Sequence, residues 1–286
     1  MPESSTARLL IAAPDRPGLA AAITGFVAQH GGSIVDADQH TDEEAGAFFQ
    51  RVEFRLDGFD LARPQLRAAL RPVAEPLGMR WQLRFSDEVR RIAVLASRQV
   101  HCLYDLLSRG ATGDLPGQIA FVASNHRDCA EAAARFGIPF HHLPVSEANR
   151  DQQEGKLADL LEAAGVELVV LARYMQILTP AFIQRFASPV INIHHSFLPA
   201  FVGGRPYHQA YERGVKIIGV TAHYATADLD QGPIIDQDVT RVTHRDGIED
   251  LIRIGRDLET VVLARAVRHH LTDRVLVHGC KTVVFD

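Results

Sequence analysis

Two runs, Ile92-Ala93-Val94-Leu95 and Leu168-Val169-Val170-Leu171, are apolar at every position. A strand with one wet face alternates, because successive side chains point to opposite sides. A strand that is apolar throughout needs cover on both faces, and a parallel sheet between helices supplies it. From residue 91 onward strands and helices take turns. Strands are expected at 91–96, 118–123, 167–172 and 190–194, and helices at 100–109, 128–137, 150–164 and 179–186. Residues 216–225 and 233–242 read as later strands, and 246–270 as a long helix. In such a sheet the active crevice lies at the carboxyl ends of the strands.

Residues 8–85 carry a different order. Residues 8–13 form a short apolar strand, Asp15-Arg16-Pro17-Gly18 a turn with Pro at a helix start, and 19–30 a helix closed by Gly31-Gly32. Residues 33–40 and 48–56 read as strands; in the second, Phe48, Gln50, Val52, Phe54 and Leu56 face one way and Phe49, Arg51, Glu53 and Arg55 the other. A helix at 65–77 and a strand at 79–85 complete βαββαβ, a ferredoxin-like plait. Residues 86–90, polar and charged, are the expected linker, with the second domain at 91–286.

Charge narrows the function. With 30 Lys and Arg against 35 Asp and Glu the net charge is −5, which gives no field for nucleic acid or an anionic membrane. No apolar run reaches the ~20 residues that span a bilayer. The polar start, Met1 to Thr6, is not a signal peptide. Cys102, Cys129 and Cys280 are odd in number and far apart, so they read as reduced thiols of a cytoplasmic protein, with no zinc spacing.

Chemistry concentrates in Val190-Ile191-Asn192-Ile193-His194-His195-Ser196. Asn192 and His194 share a strand face at its carboxyl end. Adjacent His194 and His195 cannot share one ligand, which argues against a metal pair. A lone acid follows in Asp228-Leu229-Asp230-Gln231-Gly232-Pro233. Amide, imidazole and carboxylate suit acyl chemistry: an oxyanion donor, a proton carrier and a base.

Three longer motifs carry a resemblance. They are Asn-Ile-His-His-Ser-Phe-Leu-Pro-Ala-Phe from 192, Arg-Pro-Tyr-His-Gln-Ala-Tyr-Glu-Arg-Gly-Val-Lys from 205, and Thr-Ala-His-Tyr-Ala-Thr-Ala-Asp-Leu-Asp-Gln-Gly-Pro-Ile-Ile from 221. Over residues 91–286 the chain resembles the Rossmann-like, folate-dependent formyltransferase fold with its mostly parallel sheet, and within it the formyltetrahydrofolate deformylases. The front half, with Ala-Pro-Asp-Arg-Pro-Gly-Leu after its first strand, resembles an ACT domain. The resemblance implies hydrolysis of 10-formyltetrahydrofolate to tetrahydrofolate and formate in one-carbon metabolism and purine biosynthesis, with no cofactor and no metal. It places the catalytic trio on Asn192, His194 and Asp230, with Asp228 as a competing acid. It places the folate pocket on Tyr174, Met175, Gln176, Ile177 and Leu178, closed by Ala225, Thr226 and Leu229. Met175, Ile177 and Leu178 also suit plain core packing, and His223 suits either orienting Asp230 or packing. An ACT domain implies a small amino-acid effector, here near Asp15, Arg16 and Gly18, and a homo-oligomer, a tetramer by expectation.

In this scheme Asp230 takes the proton of water, with burial expected to raise its pKa. Asn192 and a protonated His194 steady the oxyanion, and either His194 or Asp230 protonates the leaving nitrogen. Relatives that formylate a ribonucleotide amine carry a Gly-rich phosphate loop after the first strand. Here that segment is Ser97-Arg98-Gln99-Val100-His101, without glycine, so water is the expected acceptor. Transfer to a small amine and a non-catalytic metabolite sensor are the rival readings. A nicotinamide-linked dehydrogenase would need a Gly-x-Gly-x-x-Gly after a strand, which the chain lacks.

Overall fold

The structure is a computed structural model describing residues 5–186, 188–200 and 205–286. Residues 1–4 of the polar start, and Phe201 at the end of the first motif, lie outside the described residues. The chain divides into two compact units.

The first unit runs to Val89 and takes back Thr272–His278 and Thr282–Asp286. Its elements are β1 (Thr6–Pro14), α1 (Leu19–Gln29), β2 (Ile34–Asp42), β3 (Ala47–Arg55), α2 (Arg63–Ala74) and β4 (Arg80–Phe85). The sheet order is β2-β3-β1-β4, the plait the sequence pattern predicts. One sheet face buries Leu9, Ile11, Phe48 and Val52 against Leu19, Ile23 and Phe26 of α1 and Leu66 and Leu70 of α2. The other face is also apolar: Leu10, Ala12 and Phe49 pack with Leu276 and Phe285. Leu276 lies within, and Phe285 directly follows, a closing hairpin of β12 (Val275–His278) and β13 (Lys281–Val284). The sequence pattern predicts a second domain that runs through residue 286. The contacts instead give most of this tail to the front unit, because a sheet apolar on both faces needs cover on both.

A charged staple accompanies that cover. Arg51 on β3 is 2% exposed and donates through Nη1 to Asp36 (2.6 Å), through Nη2 to Glu53 (2.6 Å), and through Nε to the carbonyl of Asp273 (2.9 Å). Against its own burial, Thr6, Arg51 and Arg8 hold the Glu53 carboxyl below its usual range.

The second unit spans Arg90–Leu271 and Gly279–Lys281. It comprises β5 (Arg90–Ala96), α3 (His101–Thr112), β6 (Gly117–Ser124), α4 (Ala130–Arg135), β7 (Phe140–His142), α5 (Arg150–Ala163), β8 (Leu168–Ala172), α6 (Pro180–Arg185), β9 (Val190–His194), α7 (Pro206–Arg213), β10 (Ile217–Tyr224), β11 (Ile234–Arg241) and α8 (Ile248–Leu271). The sheet order is β11-β10-β9-β8-β5-β6-β7. Strands β5 to β9 pair in parallel, and β10 joins β9 and β11 antiparallel. Ala93, Leu95, Val169 and Leu171 pack with Leu157 and Leu161 of α5 and Phe182 of α6 on one face. Helix α8 packs against β9, β10, β11 and α3. Among the described residues no helix is long and apolar enough to cross a membrane.

Removing one partner from a buried charged network leaves the others desolvated and unpaired, a cost of about 3 kcal/mol or more. The substitution Arg51→Met is expected to lower the unfolding free energy of the front unit by about 3 kcal/mol, read from urea unfolding. A change under about 1 kcal/mol would show that this network contributes no more than a surface ion pair.

Candidate active site

The register of β9 on β10 sets His223 opposite Asn192 and Thr221 opposite His194. Directly paired residues face the same side of a sheet, so these side chains converge. Asn192 Nδ2 donates to His223 Nε2 at 3.2 Å, and His223 Nδ1 donates to the carbonyl of Tyr224 at 2.9 Å. The Tyr224 carbonyl assigns a proton to Nδ1; Nε2 accepts from Asn192 when the ring is neutral and turns a proton toward Asp230 when it is cationic. The second Nδ2 hydrogen of Asn192 is then available to a ligand.

Asp230 enters from the loop after β10, which doubles back along the sheet. Its backbone is left-handed, φ 56°, a region residues other than glycine seldom occupy. A Cβ on Gly232 would overlap the carbonyl oxygen of Tyr224, so glycine is required where the loop closes on the strand. The turn sets Asp230 Oδ2 3.3 Å from His194 Nδ1 and Oδ1 3.6 Å from His223 Nε2. The sequence expectation that Asp230 and His194 meet is thus matched in distance. Asp228, the competing acid, is exposed.

The expected pKa direction is reversed. The imidazoles of His194 and His223 hold the Asp230 carboxyl well below the usual carboxylate range, and they outweigh the upward push of burial. Meanwhile His194 is 5% exposed, and its Nε2 is buried without a hydrogen-bond partner. An orphaned buried polar atom costs about 1–3 kcal/mol. The other edge of this ring is held toward Asp230, so Nε2 is the edge left for a ligand.

Of the expected folate residues, Tyr174, Leu178 and Ala225 pack against one core cluster, with the Tyr174 hydroxyl pushed up to about 12 by burial. Met175, Ile177 and Leu229 are 59%, 57% and 56% exposed, which contradicts plain core packing for Met175 and Ile177. Gln176 is half-buried and Thr226 exposed. In the front unit Asp15, Arg16 and Gly18 form an exposed turn between β1 and α1, with Gly18 at φ 94°.

A second charged cluster was missed by the sequence reading. Glu259 in the middle of α8 is 1% exposed. It accepts a hydrogen bond from Tyr207 Oη (2.9 Å), pairs with His101 Nε2 (2.6 Å), and lies 3.4 Å from Arg173 Nε. Burial pushes the Glu259 carboxyl up, but His101, Arg173 and Tyr207 bring it below its usual value. His195 is pushed down to about 3, chiefly by burial and then by Arg173, and so stays neutral in the working range. The spacing of Leu251, Gly255 and Glu259 on one buried helix face was the available signal.

His101, Cys102 and Glu259 bring ligand-type atoms within 4.8 Å of one another. The donor set fits a metal poorly. Burial pushes the Cys102 thiol well up, the carboxylate is already hydrogen-bonded, and the Arg173 cation stands beside it.

Comparison with known proteins agrees with the fold. The formyl transferase family model matches residues 90–267 and the ACT domain model residues 7–73. A formyltetrahydrofolate deformylase of Synechocystis sp. is 54% identical over 99% of each chain. The crystal structure of a formyltetrahydrofolate deformylase from Pseudomonas syringae pv. tomato superposes with a TM-score of 0.97 at 48% identity, covering 100% of this chain and 96% of that one. A glycinamide ribonucleotide transformylase from Symbiobacterium toebii matches 72% of this chain and 98% of its own, with a TM-score of 0.66 and 35% identity. An ACT domain followed by a formyltransferase domain, matched end to end by deformylases, makes this chain a hydrolase of the formyltetrahydrofolate deformylase family.

Proposed function

We propose that the chain hydrolyses 10-formyltetrahydrofolate to tetrahydrofolate and formate at Asn192, His194 and Asp230. The observation that carries the reading is the His194 ring, set with Nδ1 3.3 Å from a carboxylate and Nε2 buried without a partner. The full-length match to deformylases, front unit included, supports water over an amine as the acceptor.

The formyl oxygen is to lie against His194 Nε2–H and the second N–H of Asn192. Each such donor is worth roughly 3 kcal/mol to a developing oxyanion. Asp230 orients water and takes its proton as oxygen attacks the formyl carbon. A carboxylate held this firmly ionised is a weak base in the resting site. As the imidazolium proton shifts toward the formyl oxygen, the positive charge holding Asp230 ionised fades, and its proton affinity rises. Base strength therefore develops together with the charge it serves. The carbon–nitrogen bond then breaks, and the folate nitrogen leaves with the proton that water gave up. Met175, Ile177 and Leu229 offer exposed apolar surface for the pterin, and the Asp15–Gly18 turn is where we place an amino-acid effector.

In an assay of formate release, Asp230→Asn is expected to lose about 10²- to 10⁴-fold in turnover while staying folded. Normal turnover would overturn the mechanism. The depressed pKa also fixes a sign. Asp230 is ionised in the folded chain above and through its unfolded pKa of about 3.9, so its contribution to stability is complete above that value and is lost as pH falls through the lower folded value. The stability difference between the natural chain and Asp230→Asn should be level from about pH 7 to 5 and shrink below about 4; a difference that grows on acidification would contradict it. Gly232→Ala should displace the Asp230 loop and cut turnover at least about tenfold, one to two kcal/mol of lost transition-state binding, and kcat reads the effect.

A further inference from the structure

The sheet of the second unit reverses its winding between β5 and β8. From β5 the chain builds outward through β6 and β7, then returns to lay β8 on the other side of β5 and continue to β9. In open sheets of this kind the crevice at the carboxyl ends of the two strands flanking such a reversal is where ligands bind. Here the protein fills that crevice with its own side chains. Gln99 follows β5 and Arg173 follows β8; Arg173 Nε donates to Gln99 Oε1 at 3.0 Å. Arg173 is 7% exposed and its backbone is left-handed, φ 62°. Behind it stand Glu259, His101 and Tyr207, joined as described. No step of the hydrolysis uses these groups.

Such a cluster is costly. Buried ion pairs are often no more stable than an apolar filling of the same volume, so its presence at a ligand position calls for a role other than stability. Its place beside the reacting groups suggests one. Leu171 on β8 pairs with Asn192 on β9, so Arg173 and His194 each lie two residues beyond the same register point. The His195 ring is 5.2 Å from that of His194 and 6.1 Å from that of Tyr207, which links the cluster to the catalytic imidazole through one side chain. An amine acceptor must bring its nitrogen to the carbon that water attacks and house the rest of its bulk nearby. Water has no such bulk.

We propose that the Gln99–Arg173–Glu259–His101–Tyr207 cluster occupies the space an amine acceptor would need, and by filling it restricts the nucleophile to water. This rests on the hydrolysis reading above. Opening the cluster should let a small amine compete. The amine nitrogen would bond to the formyl carbon, the carbon–N10 bond would break, and the proton lost by the amine would pass to N10, giving an N-formyl amine and tetrahydrofolate.

The test uses the full chain, 10-formyltetrahydrofolate and methoxyamine, with formate and N-formyl methoxyamine both measured against an enzyme-free control. The natural chain should give formate alone. Glu259→Ala, which empties the space, should give N-formyl product at least ten times above the control, while Glu259→Gln, which keeps it filled, should not. The double variant Gln99→Ala with His101→Ala opens the crevice from its less buried side and leaves the Arg173–Glu259 pair intact, so it stands in if Glu259→Ala does not fold. N-formyl product from the natural chain would overturn the proposal. So would opened variants, folded by circular dichroism, that yield only formate or neither product. Absence of formate from the natural chain would instead defeat the hydrolysis reading.

Discussion

The contact between one carboxylate and two imidazoles organises the second unit. His194 and His223 could not both meet Asp230 without the β9–β10 register, because a slip of one residue would put the two rings on opposite faces. Asp230 in turn depends on its loop. That loop leaves β10 beside Ile191 and must double back to reach His194, which it does with a left-handed aspartate and a glycine pressed on the Tyr224 carbonyl. Backbone strain of this kind persists where surrounding packing over-determines it. Here the two imidazoles supply that restraint.

The same contact decides the electrostatics. Burial alone would raise the carboxyl pKa. Two imidazoles within 3.6 Å outweigh it. Asp230 is therefore an anion whose basicity depends on the charge state of its neighbour, and the pair must be treated as one titrating unit. Asn192 joins the unit through His223, whose Nδ1–H is fixed by the Tyr224 carbonyl. An amide anchored by one of its hydrogens presents the other in a fixed direction, which is what an oxyanion donor requires.

What could be read from the sequence depended on how local its cause was. The buried strands of residues 92–95 and 168–171 declare themselves, since an unalternating apolar run has few other uses. The trio is expected from motif resemblance; His194 and Asp230 lie 3.3 Å apart, and Asn192 reaches them through His223. Three-residue β7 and four-residue β12 and β13 are too short to show a period. Helix α7 begins at a left-handed Arg205 and is only eight residues long. The tail at 272–286 was assigned by chain order, yet the apolar residues on the second face of β1 and β3, Leu10, Ala12 and Phe49, called for a cover from somewhere. Glu259 could have been found by the same logic: a carboxylate four residues after Gly255 on an apolar helix face needs a partner. What the sequence could not say is that the partners would be Arg173, His101 and Tyr207, each from a different element.

The two polar clusters of the second unit occupy different boundaries of the sheet. The groups proposed to react gather where parallel pairing gives way to antiparallel, between β9 and β10. The Arg173–Glu259 cluster fills the reversal between β5 and β8, on the far side of β8 from β9. A fold that binds its ligand at a reversal commits that crevice to substrate, but the hydrolysis proposed here draws on the neighbouring boundary. The reversal can then be filled without removing a reacting group. His195 stands between the two, and its burial beside Arg173 keeps it uncharged, so the positive charge near His194 is limited. A cationic His195 would add positive charge beside Asp230 and lower its basicity further. Keeping His195 neutral therefore follows from the same packing that closes the crevice.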